Sequence, residues 1–140
     1  DSAFFNFLKL YTNNPDFKYG NISTEKFVNY INEVSNTDLT WFFDQWLKQP
    51  NHPVYQTNYS IDEVQSGKWK LDYTINQIQT NTGFFKMPVE LKVFFKDGTT
   101  VIENVENEYN VQKFTFEYKS EPVRVSFDPN KQIVLKEVRD

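Results

Sequence analysis

The chain has 140 residues, 39% of them hydrophobic and 18% aromatic, which is enough to bury a core in one domain or two small ones. Its 15 basic and 19 acidic residues are scattered and leave a formal charge of −4, which excludes a nucleic-acid surface built on clustered Lys and Arg. No apolar run approaches the ~18 residues of a membrane helix. The first residues show no signal-peptide pattern, and the absence of cysteine rules out disulfide staples.

Helical periodicity covers residues 1–49. Phe4, Leu8 and Tyr11 fall at i, i+4 and i+7, with Phe5 and Phe7 widening the stripe. The opening Asp1-Ser2-Ala3-Phe4-Phe5 is already inside this pattern, as expected of a segment excised from a longer chain. Asn13-Asn14-Pro15-Asp16 ends the first helix, because proline removes a donor and restricts the residue before it. Ser23 is the predicted cap of the second helix, with Glu25 near the positive end of its dipole and Ile22 and Phe27 placed as a hydrophobic staple. The predicted buried face is Phe27, Ile31 and Val34, flanked by Val28 and Tyr30. Asn36-Thr37-Asp38 supplies candidate caps for a third helix, whose face is Leu39, Phe42, Phe43, Trp46 and Leu47. Pro50 stops it.

From Val54 the period changes to two. Trp69, Leu71, Tyr73 and Ile75 alternate with polar residues, as in a half-buried strand with Trp69 in the core. Ile78 is out of phase, which predicts a bulge near Asn76-Gln77. Val89, Leu91, Val93 and Phe95 form the next strand, Lys96-Asp97-Gly98-Thr99 a hairpin turn, and Val101-Ile102 the returning strand. Phe114, Phe116 and Tyr118, then Val123, Val125 and Phe127, make two more. Asp128-Pro129-Asn130-Lys131 turns the chain into a last strand from Ile133 to Val138. The expected fold class is therefore α+β: a three-helix segment at 1–49, a hinge at 50–53, and at 54–140 an antiparallel immunoglobulin- or fibronectin-like β-sandwich of about seven strands.

Chemistry is sparse. His52 is the sole histidine, whereas a zinc peptidase needs two histidines one helical turn apart and a further carboxylate. At the hinge its ring suits a bond to a backbone carbonyl. Asp44 and Lys48, at i and i+4, suit a surface ion pair. Glu25, Glu33 and Asp38 read as helix-end or solvated charges. Asp62, Glu63, Glu103, Glu106 and Glu108 lack the calcium-loop spacing. No serine stands in a Gly-x-Ser-x-Gly context, and the four glycines draw no phosphate-cradling loop. Trp69, Phe84 and Phe85 are the aromatics that could stack on a sugar if exposed.

The stretches from Phe17 to Phe27 (FKYGNISTEKF) and from Val34 to Leu47 (VSNTDLTWFFDQWL), followed by Pro50-Asn51-His52-Pro53, resemble the zinc aminopeptidases of the aminopeptidase N family. They are similar to the distal end of that family's thermolysin-like catalytic domain, where it leads into a β-sandwich. Leu71 to Gln79, Met87 to Leu91, and Pro122 to Asn130 with Val134-Leu135 are similar to strands of that sandwich. The family's His-Glu-x-x-His and Gly-x-Met-Glu-Asn motifs have no matching positions, so no catalytic, cofactor-binding or metal-ligating residue carries over. Where the family often has glycine before the hinge histidine, this chain has Asn51, which also tolerates left-handed geometry.

The resemblance implies a non-catalytic C-terminal fragment of a zinc-dependent aminopeptidase. It would brace the catalytic domain and help shape its substrate cavity. Trp41, Phe42, Asp44, Trp46, Pro50, His52 and Pro53 would form the structural motif joining helices to sandwich. Zinc and the peptide substrate would belong to the parent hydrolase, and the rest of its catalytic domain would be the partner. The alternative is a stand-alone immunoglobulin-like module that binds protein or glycan. An accessory subunit descended from the family without a zinc domain is a third reading. Neither location nor substrate preference is encoded legibly.

Overall fold

Hydrophobic periodicity first turns into packing within an aromatic cluster. In the computed structural model, which describes residues 2–18, 20–133 and 136–139, the chain divides into two compact units, Asp1–Gln49 and Pro50–Asp140. The first holds α1 (Ser2–Asn13), α2 (Thr24–Ser35) and the short α3 (Thr40–Phe43), which runs into a π-helical turn over Asp44–Lys48.

Ser23 caps α2 as its sequence position predicts: its backbone is extended and its hydroxyl accepts from Lys26 N–H at 3.3 Å. Asn36, an expected cap of the third helix, instead closes α2 in the left-handed conformation at φ 49°. Asp38 reaches the start of α3, its Oδ1 accepting from Thr40 N–H at 2.9 Å, and Asn32 Oδ1 accepts from Leu39 N–H at 2.8 Å.

Packing in this unit is largely edge-to-face. Phe7 of α1 is buried and lies 5.6 Å from Phe27, which in turn lies 5.7 Å from Phe43. Tyr11 stacks on Phe17 at 5.6 Å, and Phe17 meets Tyr30 at 4.8 Å. The buried stripe of α1 therefore runs through Phe7 and Tyr11. Phe4, expected on it, is 57% exposed, and Phe5 is 59% exposed. Val34 lies at the exposed margin of α2, and the buried residue there is Val28. Beyond α3 the i→i+5 turn adds a residue and rotates the phase. Gln45 thereby becomes buried while Leu47, expected on the inner face, points to solvent.

The second unit is built from β1 (Val54–Gln65), β2 (Lys68–Gln77), β3 (Met87–Phe95), β4 (Thr100–Asn107), β5 (Val111–Tyr118), β6 (Pro122–Phe127) and β7 (Lys136–Arg139). One sheet has the order β5-β2-β1-β7 and the other β4-β3-β6. They face each other across a core in which Leu71, Val93 and Phe95 gather Ile61, Phe116, Tyr118 and Val125. Tyr55 of β1 meets Phe127 of β6 at 5.0 Å.

The pairs β1–β2, β2–β5, β3–β4 and β3–β6 are antiparallel, but β7 runs parallel to β1, with Val54 opposite Lys136 and Thr57 opposite Arg139. This corrects the all-antiparallel expectation. In the immunoglobulin arrangement the last strand joins the sheet of the third and sixth strands, whereas here it crosses to the first. The turn after β6 sets the departure: Asp128 (φ 41°) accepts from Gln132 N–H and Ile133 N–H, and Lys131 (φ 53°) follows. Val134 and Leu135 lie outside the described residues.

The hairpin after β3 has Gly98 at φ 84°, and Asp97 Oδ1 accepts from both Thr99 N–H and Thr99 Oγ1–H. Only Gly98 takes the left-handed conformation there. At the far edge, a register shift between Phe94 and Phe95 turns Pro122 inward and leaves Val123, expected in the core, 49% exposed.

Candidate functional site

The predicted motif occupies the end of the first unit and the start of the second. Trp41 is partly exposed and meets Phe42 edge-on at 5.9 Å, while Phe42 and Trp46 are half-buried with ring centroids 6.2 Å apart. Asp44 forms the expected surface pair with Lys48, Oδ1 to Nζ 2.6 Å. In the second unit, Asn51 adopts φ 63° and its Nδ2 donates to Asn81 O at 3.3 Å. Pro53 is fully buried. His52 is exposed.

Sequence reasoning missed a buried polar site centred on Gln77. Gln77 sits at the inward position that follows Leu71, Tyr73 and Ile75, where an apolar residue was expected. The predicted bulge near Asn76-Gln77 is absent: β2 pairs regularly with β1 through Tyr55 opposite Gln77, and the irregularity falls at Glu63/Gln65. Gln77 Nε2 donates to Phe85 O at 2.6 Å and Asn107 Oδ1 at 2.7 Å, while its Oε1 accepts from Phe85 N–H at 3.0 Å and Gln79 Nε2 at 2.9 Å. Gln79 Oε1 accepts from Val54 N–H at 3.0 Å, and Asn107 Nδ2 donates to Tyr109 O at 2.9 Å. A buried amide is tolerable only when its donors and acceptors are paired in this way. The signal was available in the phase itself, since 71, 73, 75 and 77 share one face. Phe85, considered for sugar stacking, is fully buried beside this network, and Trp69 is half-buried.

A second polar cluster lies on the outer face of β2. Asp72 is only 8% exposed; its Oδ2 pairs with Lys70 at 2.9 Å and Lys113 at 2.8 Å, and its Oδ1 accepts from Thr115 Oγ1–H at 2.6 Å. Hydrogen bonds from Lys113, Thr115 and Lys70 hold its carboxyl well below the usual range. In the strand unit, burial pushes the Tyr118 phenol up, reinforced by Glu103 Oε1, which accepts its proton at 2.9 Å. Tyr55 is raised by burial and by Asp128. These groups stay in one protonation state at neutral pH, so they hold the fold and exchange no protons.

Clefts open on the described residues of the helical unit, and a larger and a smaller one stand out. The larger, about 650 Å³, is lined by Asn14, Asp16, Phe17, Lys26, Tyr30 and Glu33. The smaller, about 310 Å³, lies over Val28 and Phe43 with Glu25, Asp44 and Lys48 on its rim. Among the described residues no three His, Asp or Glu side chains converge as metal ligands. No helix is long and apolar enough to cross a membrane.

Against known proteins, no family model matches the chain, and no curated protein does. Among solved structures, it is similar to Legionella pneumophila aminopeptidase A, crystallised in complex with aspartic acid: TM-score 0.72, 16% sequence identity, 99% of this chain covered. The chain spans 15% of the length of that protein. What the two share is a fold, extending over nearly every residue of this chain and over a small part of the aminopeptidase.

Proposed function

We propose that the chain is a non-catalytic C-terminal part of a zinc-dependent aminopeptidase of the aminopeptidase N family. In this reading it braces the catalytic domain and helps to shape the substrate cavity. The observation that carries it is the fold likeness to an aminopeptidase over 99% of the chain at TM-score 0.72. The motif from Trp41 to Pro53 supports it from the sequence side. Zinc and the peptide substrate are then held by residues of the parent outside this chain. Trp41, Phe42, Asp44, Trp46, Pro50, His52 and Pro53 contribute position rather than chemistry.

Reading the open reading frame upstream of Asp1 tests the proposal. A His-Glu-x-x-His motif is expected there, and a frame without one overturns the reading. At the bench, the purified 140-residue chain should hydrolyse no amino-acid arylamide with added zinc and keep no stoichiometric zinc after dialysis. The longer polypeptide should do both. Metal-dependent turnover by the short chain in independent preparations contradicts the assignment.

A further inference from the structure

Two cations that pair with no carboxylate among the described residues meet on one ring at the outer face of the three-stranded sheet. Along β3 the inward residues Val89, Leu91, Val93 and Phe95 are buried, so Lys92 and Phe94 point outward. Register places Arg124 of β6 opposite Phe94, and Ile102 of β4 opposite Lys92. The Arg124 guanidinium carbon lies 3.8 Å from the Phe94 ring centroid, and Lys92 Nζ lies 5.3 Å from the same centroid. Lys48, Lys70, Lys86, Lys96 and Lys113 each pair with a carboxylate. Among the described residues Lys92 and Arg124 do not. The outward acid of the same strand, Glu90, is engaged by Asn130 Nδ2 at 2.8 Å.

We propose that Lys92, Phe94 and Arg124, with Ile102 beside them, form a docking surface for an acidic peptide segment of a protein partner. The ring covers one face of the guanidinium and strips part of its hydration, while the in-plane N–H groups stay free to grip a carboxylate in bidentate fashion. Ile102, 41% exposed on the neighbouring strand, offers an apolar contact next to that charge pair. A partner presenting glutamate or aspartate beside a leucine-sized side chain matches both features. Two cations in a chain of charge −4 make a poor surface for nucleic acid. The surface is separate from the proposed peptidase role and does not depend on it.

Titration of the 15N-labelled chain with a short blocked peptide of alternating leucine and glutamate, followed by amide NMR, tests the assignment. Saturable shifts are expected at Phe94, Ile102, Arg124 and Ser126, weakening as salt rises. Arg124→Gln should weaken binding roughly tenfold, as loss of a charge-assisted contact requires, and Lys92→Gln should weaken it less. Lys119→Gln, in the bend that follows β5, should leave it unchanged. All three positions are substituted without altering a buried group, and a dispersed spectrum verifies folding. Equal binding of a leucine–lysine peptide, indifference to Arg124→Gln, or no shifts at all overturns the proposal. Inorganic phosphate reproducing the same shifts at the same affinity would mark a bare anion site and equally overturn the peptide assignment.

Discussion

Asp72 faces outward from a central strand and is nevertheless almost covered, because Lys70, Lys113 and Thr115 converge on one carboxylate. Its folded-state pKa is depressed, so the stabilisation it provides is complete above the unfolded value of about 3.9 and disappears as pH falls. The urea midpoint should therefore drop as pH is lowered below about 4. Asp72→Asn should be less stable at pH 7 and should flatten that acid limb; an unchanged limb in the variant would place the acid sensitivity elsewhere. Asp38 and Asp97, lowered by hydrogen bonds from Thr40 and Thr99, add to it in the same direction. Gln77 presents a different balance, since its amide touches Phe85, Gln79 and Asn107 at once. Gln77→Ala orphans several buried polar atoms and should cost about 2–4 kcal/mol by chemical denaturation. A loss under about 0.5 kcal/mol would mean that water replaces the amide without penalty.

At the level of elements, the hinge shows how local rules and long-range rules differ in what the sequence reveals. Asn51 stands at φ 63°, and the left-handed region costs roughly 1–2 kcal/mol for an ordinary side chain. Asn51→Ala should destabilise by about 1 kcal/mol, whereas Asn51→Gly should be neutral or slightly stabilising, allowing for the lost contact to Asn81. Equal midpoints for Ala and Gly would show that the conformation relaxes at no cost. Such effects depend on neighbours in the chain, which is why the Ser23 cap, the Asn51 conformation and the Gly98 turn were readable. The π turn was not, because the extra residue it accommodates leaves no mark on the Thr40–Lys48 composition. Gln77 was misread for a related reason: a period argument that counts only apolar residues treats a buried amide as a break. The crossing of β7 to β1 was beyond reach, since nothing between Asp128 and Ile133 names a partner some 80 residues upstream.

On the scale of the molecule, the helical unit and the strand unit differ in how completely they cover themselves. Phe4, Phe5 and Leu10 leave α1 with exposed apolar surface on more than one side, as its sequence suggested. Surfaces of this kind fray or self-associate when nothing covers them. Hydrogen exchange should show residues 2–12 less protected than 69–75 and 89–95, or light scattering should show oligomers. A monomer whose α1 exchanges as slowly as the sheets would favour a self-sufficient domain and would count against the chain being part of a larger protein.

The parallel contact of β7 with β1 has a mechanical side. Parallel neighbours have their starts at the same end, so a pull on the chain entering at Val54 and leaving at Arg139 drags the two strands past each other along their length. Every rung of the Val54–Thr57 ladder then bears load at once, rather than one after another as when a hairpin is peeled open. Stretched between those two points in a force spectrometer, the strand unit should yield in a single abrupt step at high force. Attached instead through the tip of the β3–β4 hairpin at Gly98 and a neighbouring loop, it should open gradually and at lower force. A chain that passes through this unit could transmit tension across it without losing the fold.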